Sequence, residues 1–378
     1  MRGILKLAYK LLVNDKAKFT ALLLGITFAV FLIMFISSMF SGVLNHASST
    51  IINIGASMWV MDPAVQTVTN SIGMPDYILD AVRSMQGVKY AVPLYSGGAL
   101  VKLTDGTYQS VTVIGLDDTS LFGRPVLLEG KIEDIYAENG FIAVRDAEID
   151  KLENPHIGSE FELNDYRGVI VGLAKVTSSG LYGTPTLYTT YERAIQYIPN
   201  PRYTISYVLV EPKSASDIPQ IKKQVEALGY QARTKEEFMK RTADFFVYQT
   251  GGGTNMLIMT AISFIVGLSI SGQTFYTFIL ENLERFGALK AIGTRSRVLV
   301  GMILFQATFT AFTGFGLGVG LSALLIWLAR LRLASYAAMM TYGDLAIGFG
   351  MVVSIAAVSS YIAVRRVLKI EPFDIFRG

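Results

Sequence analysis

The chain contains no cysteine. That excludes disulfides, zinc–thiolate sites, iron–sulfur clusters and cysteine nucleophiles. It does not fix the compartment. Two histidines, His46 and His156, leave little for histidine-based metal or acid–base chemistry. Charge is also scarce. Only 17% of residues are charged, where soluble domains average about 25%. Hydrophobic residues make up 51% and the mean hydropathy is +0.42. This balance excludes a disordered protein and argues against a purely soluble enzyme. The 378 residues are enough for two ordinary domains at about 100–200 residues each.

Four stretches have no charged side chain for long enough to cross a bilayer, which takes about 20 mainly apolar residues. They are residues 19–45, the stretch between Asp244 and Glu281, the stretch between Arg297 and Arg330, and the stretch between Asp344 and Arg365. Buried core helices rarely run this long without charge. The first stretch is too long for a signal peptide, and no small-residue cleavage site follows it closely.

Lys and Arg placement sets the expected orientation. Residues 1–18, 281–297 and 365–378 are basic-rich and fall on one face after four crossings, which makes that face cytoplasmic. The region 46–244 carries 18 basic against 24 acidic residues, so it belongs on the opposite face. The short segment 330–344 shares that face, with Arg330 and Arg332 as a mild dissent. The multi-pass chain is therefore expected in a membrane with its basic face cytoplasmic and its large domain extracytoplasmic.

About 200 residues between the first two spans form a domain, not a loop. Residues 57–61 read as a strand. Pro75–Gln86 reads as a helix, with proline near its start and Gly87 just past its end. Tyr90–Pro93, Ala99–Leu103 and Tyr108–Gly115 read as strands, with Asp105-Gly106 as a hairpin turn. Ile205–Val210 reads as a strand, Ala215–Leu228 as a helix stopped by Gly229, and Tyr230–Arg233 as a returning strand. The order β-α-β-β, then β-α-β, predicts a ferredoxin-like module of the split βαβ type. Residues of about 120–200 interrupt it with short β runs and read as an inserted β-rich subdomain, so the extracytoplasmic domain spans 46–233. The segment 234–280 combines a helical stalk with the second span. Gly251-Gly252-Gly253 within it reads either as a flexible linker or as a hinge in one long helix.

Catalytic signatures are missing. There is no Walker A sequence, no Gly-x-Ser-x-Gly and no His-Glu-x-x-His. The pairs Asp117-Asp118 and Glu236-Glu237 read as exposed turn and helix carboxylates. His46 reads as an interfacial histidine with no ligand, and His156 as an exposed turn residue. The spans carry no acidic or basic residue, where ion-coupled carriers usually need an ionisable group. An enzyme or a secondary transporter is unsupported.

The loop 281–297 is short and patterned. Phe286, Leu289 and Ile292 fall at i, i+3 and i+6, and Gly293 is a helix stop. A short amphipathic helix at a membrane edge can lie in the interface or dock into a partner's groove. Residues 1–18 place Ile4, Leu5, Ala8, Leu11 and Leu12 on one face, as an interfacial helix would. Gly314, Gly316, Gly318 and Gly320 form two overlapping small-xxx-small motifs for close helix packing, within the protomer or at a dimer seam.

Glu284-Arg-Phe-Gly-Ala-Leu-Lys-Ala-Ile-Gly-Thr294, directly after a span, resembles the coupling-helix signature of the FtsX/MacB-like permeases of ABC transporters. Leu289–Gly293 and the ending Ala363–Phe376 are most similar to the DevC-like branch. Arg285-Phe286-Gly287 stands where the commoner MacB wording has Glu-Ile-Gly. The resemblance covers the whole chain in topology: one span, a large outer domain, then three spans.

The resemblance implies an α-helical membrane protein of the bacterial inner (cytoplasmic) membrane, with four transmembrane helices and a large α+β extracytoplasmic domain in the periplasm. It implies a homodimer without its own ATPase motif, in which ATP and Mg are held by a separate ABC ATPase subunit. It further implies a periplasmic adaptor (membrane-fusion) protein, an outer-membrane TolC-like channel and the bilayer itself as partners, with no nucleic acid and no metal. ATP-driven mechanotransmission would move cargo from the periplasm. An FtsX-like regulator signalling to a cell-wall hydrolase is the alternative. Glu281, Glu284, Arg285, Leu289, Lys290 and Gly293 are the residues implied for ATPase coupling.

Overall fold

The computed structural model describes residues 2–146, 148–178, 183–198, 205–332 and 336–368. From the N-terminus, α1 (Arg2–Asn14) leads into the long α2 (Lys16–Ala47) and the short α3 (Ser49–Ile54). Then come β1 (Met58–Met61), α4 (Tyr77–Arg83), β2 (Val88–Lys102), β3 (Tyr108–Leu116), β4 (Val126–Gly130) and β5 (Gly140–Val144). These are followed by β6 (Glu160–Leu163), β7 (Tyr166–Lys175), β8 (Thr186–Thr190), α5 (Tyr191–Tyr197), β9 (Tyr207–Pro212), α6 (Ile218–Ala227) and β10 (Gln231–Thr234). The chain closes with α7 (Lys235–Asp244), α8 (Gly252–Glu281), α9 (Leu283–Ala291), α10 (Ser296–Arg332) and α11 (Tyr342–Leu368). The C-terminal motif from Lys369 onward lies outside the described residues.

Among the described residues, four helices are long and apolar enough to span a membrane: Lys16–Ala47, Gly252–Glu281, Ser296–Arg332 and Tyr342–Arg365. They match the four uncharged stretches of the sequence. The chain divides into two units. The helical unit holds Met1–Gly42, Gly253–Ala329 and Ala338–Gly378; the other holds Val43–Gly252 and Arg330–Ala337.

In the helical unit, Leu22, Ile26, Val30 and Met34 of α2 pack with Phe275 and Phe278 of α8, Met302 and Ile303 of α10, and Val352 of α11. Ala8 and Leu12 of α1 join the same core.

In the second unit, the described strands form one mixed sheet with the order β10-β1-β9-β2-β3-β8-β5-β7-β4. The run β10-β1-β9-β2 is antiparallel throughout. With α4 and α6 as crossovers it is the expected ferredoxin-like module. Pro219 in the first turn of α6 and left-handed Gly229 (φ +83°) after its end set the limits of that helix. Met58, Val60, Ile78, Val82, Ile221 and Val225 form the core under the two helices. Trp59, Tyr207 and Phe238 fill the other face, with Trp59 edge-on to Tyr207 at 5.3 Å.

Two boundaries move. The sequence reading assigns Ala99–Leu103 and Tyr108–Gly115 to the ferredoxin-like module and starts the insertion near residue 120. Instead, β2 is one 15-residue strand. Its first half pairs with β9 up to Leu94↔Tyr207, and its second half pairs with β3 from Leu94↔Leu116. The inserted part therefore begins within β2, near residue 95. Pro93 does not break the strand, because this half of β2 has one described neighbour and the missing N–H can face the open side.

The insertion closes on itself. β2 pairs with β3, β3 with β8, β8 with β5, β5 with β7, β7 with β6, and β6 back with β2. The result is a six-stranded barrel filled by Val101, Val113, Phe141, Leu163, Leu173 and Leu187.

At the stalk, α7 ends in a π-helical turn, Phe245–Gln249. Gly251 is left-handed (φ +75°), and α8 starts at Gly252. The helix breaks at one glycine, and the next two form the first turn of the span.

Candidate coupling site

The site is built on α9, the nine-residue helix that follows α8 after a single residue. Asn282 makes the corner. It is buried, and its Nδ2 donates to the Phe278 carbonyl at 2.8 Å. Arg285 Nη1 donates back to Asn282 Oδ1 at 2.8 Å. At the far end the Gly293 N–H donates to Lys290 O (3.1 Å) and the Thr294 N–H to Leu289 O (3.0 Å). Gly293 has φ +95°. This left-handed closure is why the helix stops there, since a side chain would strain that backbone.

The apolar stripe divides. Phe286 is fully buried, in one cluster with Ala8, Leu12, Ile279 and Leu299. Leu289 packs partly against that cluster, and Ile292 is 83% exposed. Glu284, Arg285 and Ala288 are exposed and Lys290 is half-buried. Glu281 forms an ion pair with Lys18. Lys18 also pairs with Asp15 at 2.7 Å, and that hydrogen bond holds the Asp15 carboxyl below the usual carboxylate range. The helix is thus anchored by one aromatic residue and closed at its C-terminal end by Gly293. It leaves a mixed-charge outer face with one exposed isoleucine.

The glycines of α10 fall on two sides. A Cβ on Gly314 would meet Ile26 Cγ2 at 2.5 Å, while Gly316 and Gly320 have nothing within 4 Å. Gly318 resembles Gly314, against Val30. In α1, Ala8 and Leu12 are buried but Ile4 and Leu5 are exposed.

Three polar positions in the helical unit escaped sequence reading. Gln306 is buried in α10, and its Nε2 donates to the Ala8 carbonyl at 2.9 Å. Asp344 is buried at the start of α11 and accepts from Ser37, Ser41 and Thr341. Asn282 makes the corner before α9. The signal available was a polar residue at the edge of an apolar run for Asp344 and Asn282, and a lone amide inside one for Gln306.

The remaining candidates of the outer unit are structural. Asp117 accepts from Ser120 N and Oγ in a turn. Asp118 accepts from the Glu192 N–H at the start of α5, and burial pushes its carboxyl up. Glu237 caps α7 with Thr234, and Glu236 is exposed. His156 Nδ1 pairs with Ser159 Oγ at 2.9 Å. Among the described residues no cluster of His, Cys, Asp or Glu has the makings of a metal site.

Residues 20–228 match the MacB-like periplasmic core domain family, and residues 257–372 match the FtsX-like permease C-terminal family. An uncharacterized ABC transporter permease of Mycobacterium tuberculosis is 25% identical over 362 residues, covering 94% of this chain and 93% of that protein. Another, from Mycobacterium bovis, is 23% identical over 359 residues, with 94% and 93% covered. The periplasmic region of MacB from Actinobacillus actinomycetemcomitans aligns at 12% identity and TM-score 0.38, over 50% of this chain and 93% of that one. The extracellular domain of the noncanonic ABC-type transporter YknZ from Gram-positive bacteria aligns at 14% and 0.37, over 47% and 99%.

Proposed function

Because the chain belongs to the MacB/FtsX-like family of ABC transporter permeases, we propose that it is the membrane subunit of an ATP-driven export complex, docked to a separate ATPase through α9. The observation that carries this reading is the construction of α9. Phe286 fixes it to the helical core, Gly293 ends it, and Glu284, Arg285, Ala288 and Ile292 are left outward. A rigid, capped helix with an exposed mixed face is what a groove on a partner recognises.

The mechanism in this reading is mechanotransmission. ATP binding on the partner draws α9 of two copies together, and α8 carries the displacement toward the outer domain. An adaptor protein on that domain receives it and, in a cell with an outer membrane, passes cargo to a channel there. Two features support the reading. Charged side chains lie only toward the ends of the spans, as Asp344 does, which favours a route that does not cross the membrane between them. The α8 helix leaves Leu257, Ile258, Ile262 and Ile265 exposed, an apolar face open to lipid or to a second copy. The inserted barrel enlarges the outer domain and favours an export role over a purely regulatory one.

The test is an affinity pull-down of the detergent-solubilised chain with mass spectrometry. A Walker-motif ATPase and an adaptor are expected together. An ATPase with a cell-wall hydrolase and no adaptor overturns the export reading. Leu289→Asp and Ile292→Asp should each abolish ATPase co-purification while leaving membrane insertion intact. Because Ile292 is solvent-exposed, its variant also keeps the wild-type melting temperature. Unchanged co-purification of both variants sinks the docking assignment.

A further inference from the structure

The insertion barrel opens at one end. There β2 turns into β3 through Leu103 and Thr104, and residues 152–159 lead into β6 at Glu160. The segment before β6 forms one wall of the mouth. Between that segment and the barrel lies a cavity of about 400 Å³, within the ~300–1,000 Å³ range of small-molecule sites, which favour barrel mouths. We propose that this mouth binds a small organic cation with an apolar body.

The apolar part is the floor. Val101, Phe161, Ile170 and Leu187 line the cavity, and all four belong to the barrel core or pack against it. Phe161 is held edge-on to Phe141 at 5.4 Å, so its position is fixed by the interior. Phe161 is the half-buried member of this floor and the other three are already covered, so it is chiefly the ligand's own apolar surface that leaves water here, at roughly 25 cal/mol per Å².

The charge selectivity comes from the rim. Lys102 is paired with Glu162 at 3.3 Å, and Glu160 is paired with Arg167. Glu153 stands apart: among the described residues it has no cationic partner. Its Oε1 accepts from Thr104 Oγ1 at 2.7 Å and from the Thr104 N–H at 3.3 Å. These neutral donors fix the carboxylate at the rim and leave Oε2 for a ligand. The surrounding segment 148–162 carries Glu148, Asp150, Glu153, Glu160 and Glu162 against Lys151. Its field favours a cation over an anion.

The loop is shaped to hold Glu153 there. Glu153 and Asn154 both adopt left-handed backbone (φ +60° and +52°). Gly158 follows with φ +91°, and its N–H donates to Ile170 O at 2.7 Å. His156 Nδ1 is engaged by Ser159 Oγ, so the imidazole is tied down within the loop.

The probe is tryptamine, with indole-3-propionate as its anionic counterpart of similar size. Equilibrium dialysis against the full chain in nanodiscs, with empty nanodiscs as reference, gives the affinity of each. Saturable tryptamine binding is expected, with indole-3-propionate at least tenfold weaker. Glu153→Gln changes an exposed side chain and should weaken tryptamine at least tenfold with an unchanged melting temperature. Leu103→Trp, also lining the cavity, should abolish binding by filling it. The absence of saturable tryptamine binding overturns the site. Equal affinity for both probes, or wild-type affinity in Glu153→Gln, overturns the assignment to a cation.

Discussion

Gly318 of α10 lies against Val30 of α2 so closely that a Cβ there would sit 2.5 Å from Val30 Cβ and 2.9 Å from the Thr27 carbonyl oxygen. Helix approach of this kind replaces the hydrophobic effect as the source of packing in a bilayer. The Ser322 hydroxyl, one turn further, reaches Phe31 O at 3.3 Å across the same seam. Gly318→Ala should therefore act as an overpacking substitution, costing about 1–3 kcal/mol. Gly316→Ala and Gly320→Ala meet open space and should leave the melting temperature in detergent unchanged or slightly raised. Equal destabilisation by all three would show that the packing face is not the one described.

Asp344 supplies a second tie between α2 and α11. Its Oδ1 accepts from Ser37 and Ser41 of α2, and its Oδ2 from the Thr341 N–H and Oγ1, both at 2.8 Å. The Asp344 N–H returns a bond to Thr341 Oγ1 at 3.2 Å, which completes a capping box for α11. Asp344→Ala leaves two hydroxyls of α2 without their acceptor. The expected loss is about 1.5–3 kcal/mol, the range for hydrogen bonds to a charged group. Thermal melting of the solubilised chain checks it. A wild-type melting temperature for Asp344→Ala would mean that the two serines are satisfied elsewhere.

The spans and α9 were legible in the sequence because their signals are local. An uncharged run shows a span, and a glycine after an apolar stripe shows a helix end. The ferredoxin-like part was legible for the same reason, since Gly229 and Pro219 punctuate it. The barrel was not. Its closure rests on Val101↔Leu163 and on the parallel pairing Gly115↔Thr189, contacts between segments far apart in the chain that leave no local trace. The stripe on α9 was legible as a stripe, but not how it divides. Phe286 is covered and Ile292 is not, because Ala8 and Leu12 of α1 reach the first only. Asp344 was read as the boundary of a span, whereas burial makes its carboxylate a structural group.

Stability of the outer domain should respond to acid through Glu237. Lys222 Nζ contacts both Glu237 oxygens at 2.6 Å, and the Thr234 N–H donates to Oε2 at 3.0 Å. Partial burial pushes this carboxyl up, but the bonds from Lys222 and Thr234 outweigh it and hold the group below its ordinary value. A depressed folded-state pKa contributes stability that is present above the unfolded value, about 4.3. That contribution is lost as pH falls through the folded value. Since the pair is partly exposed, the gain is below about 1 kcal/mol. Glu237→Gln should melt slightly below the wild type at pH 7, and the two curves should converge as pH falls through the folded value. A constant gap across that range would assign the effect to the capping geometry and not to ionisation.

The anchoring of α9 is the feature on which coupling through this helix depends, and it can be tested apart from any partner. Phe286 is fully buried and Ile292 nearly fully exposed on the same short helix. Truncating a buried phenylalanine costs about 3–5 kcal/mol where the site cannot collapse, and exposed substitutions stay within about 0.5 kcal/mol. Phe286→Ala should free α9 from α1 and open the peptide bonds after Arg285 and Lys290 to trypsin. Ile292→Ala should cleave at the wild-type rate. The ratio of cleavage rates between the two variants reads the anchor directly, because both carry the same basic residues. If Phe286→Ala resists trypsin as the wild type does, α9 is held by the Asn282–Arg285 bond and the Gly293 turn, and the aromatic contact is dispensable for holding it.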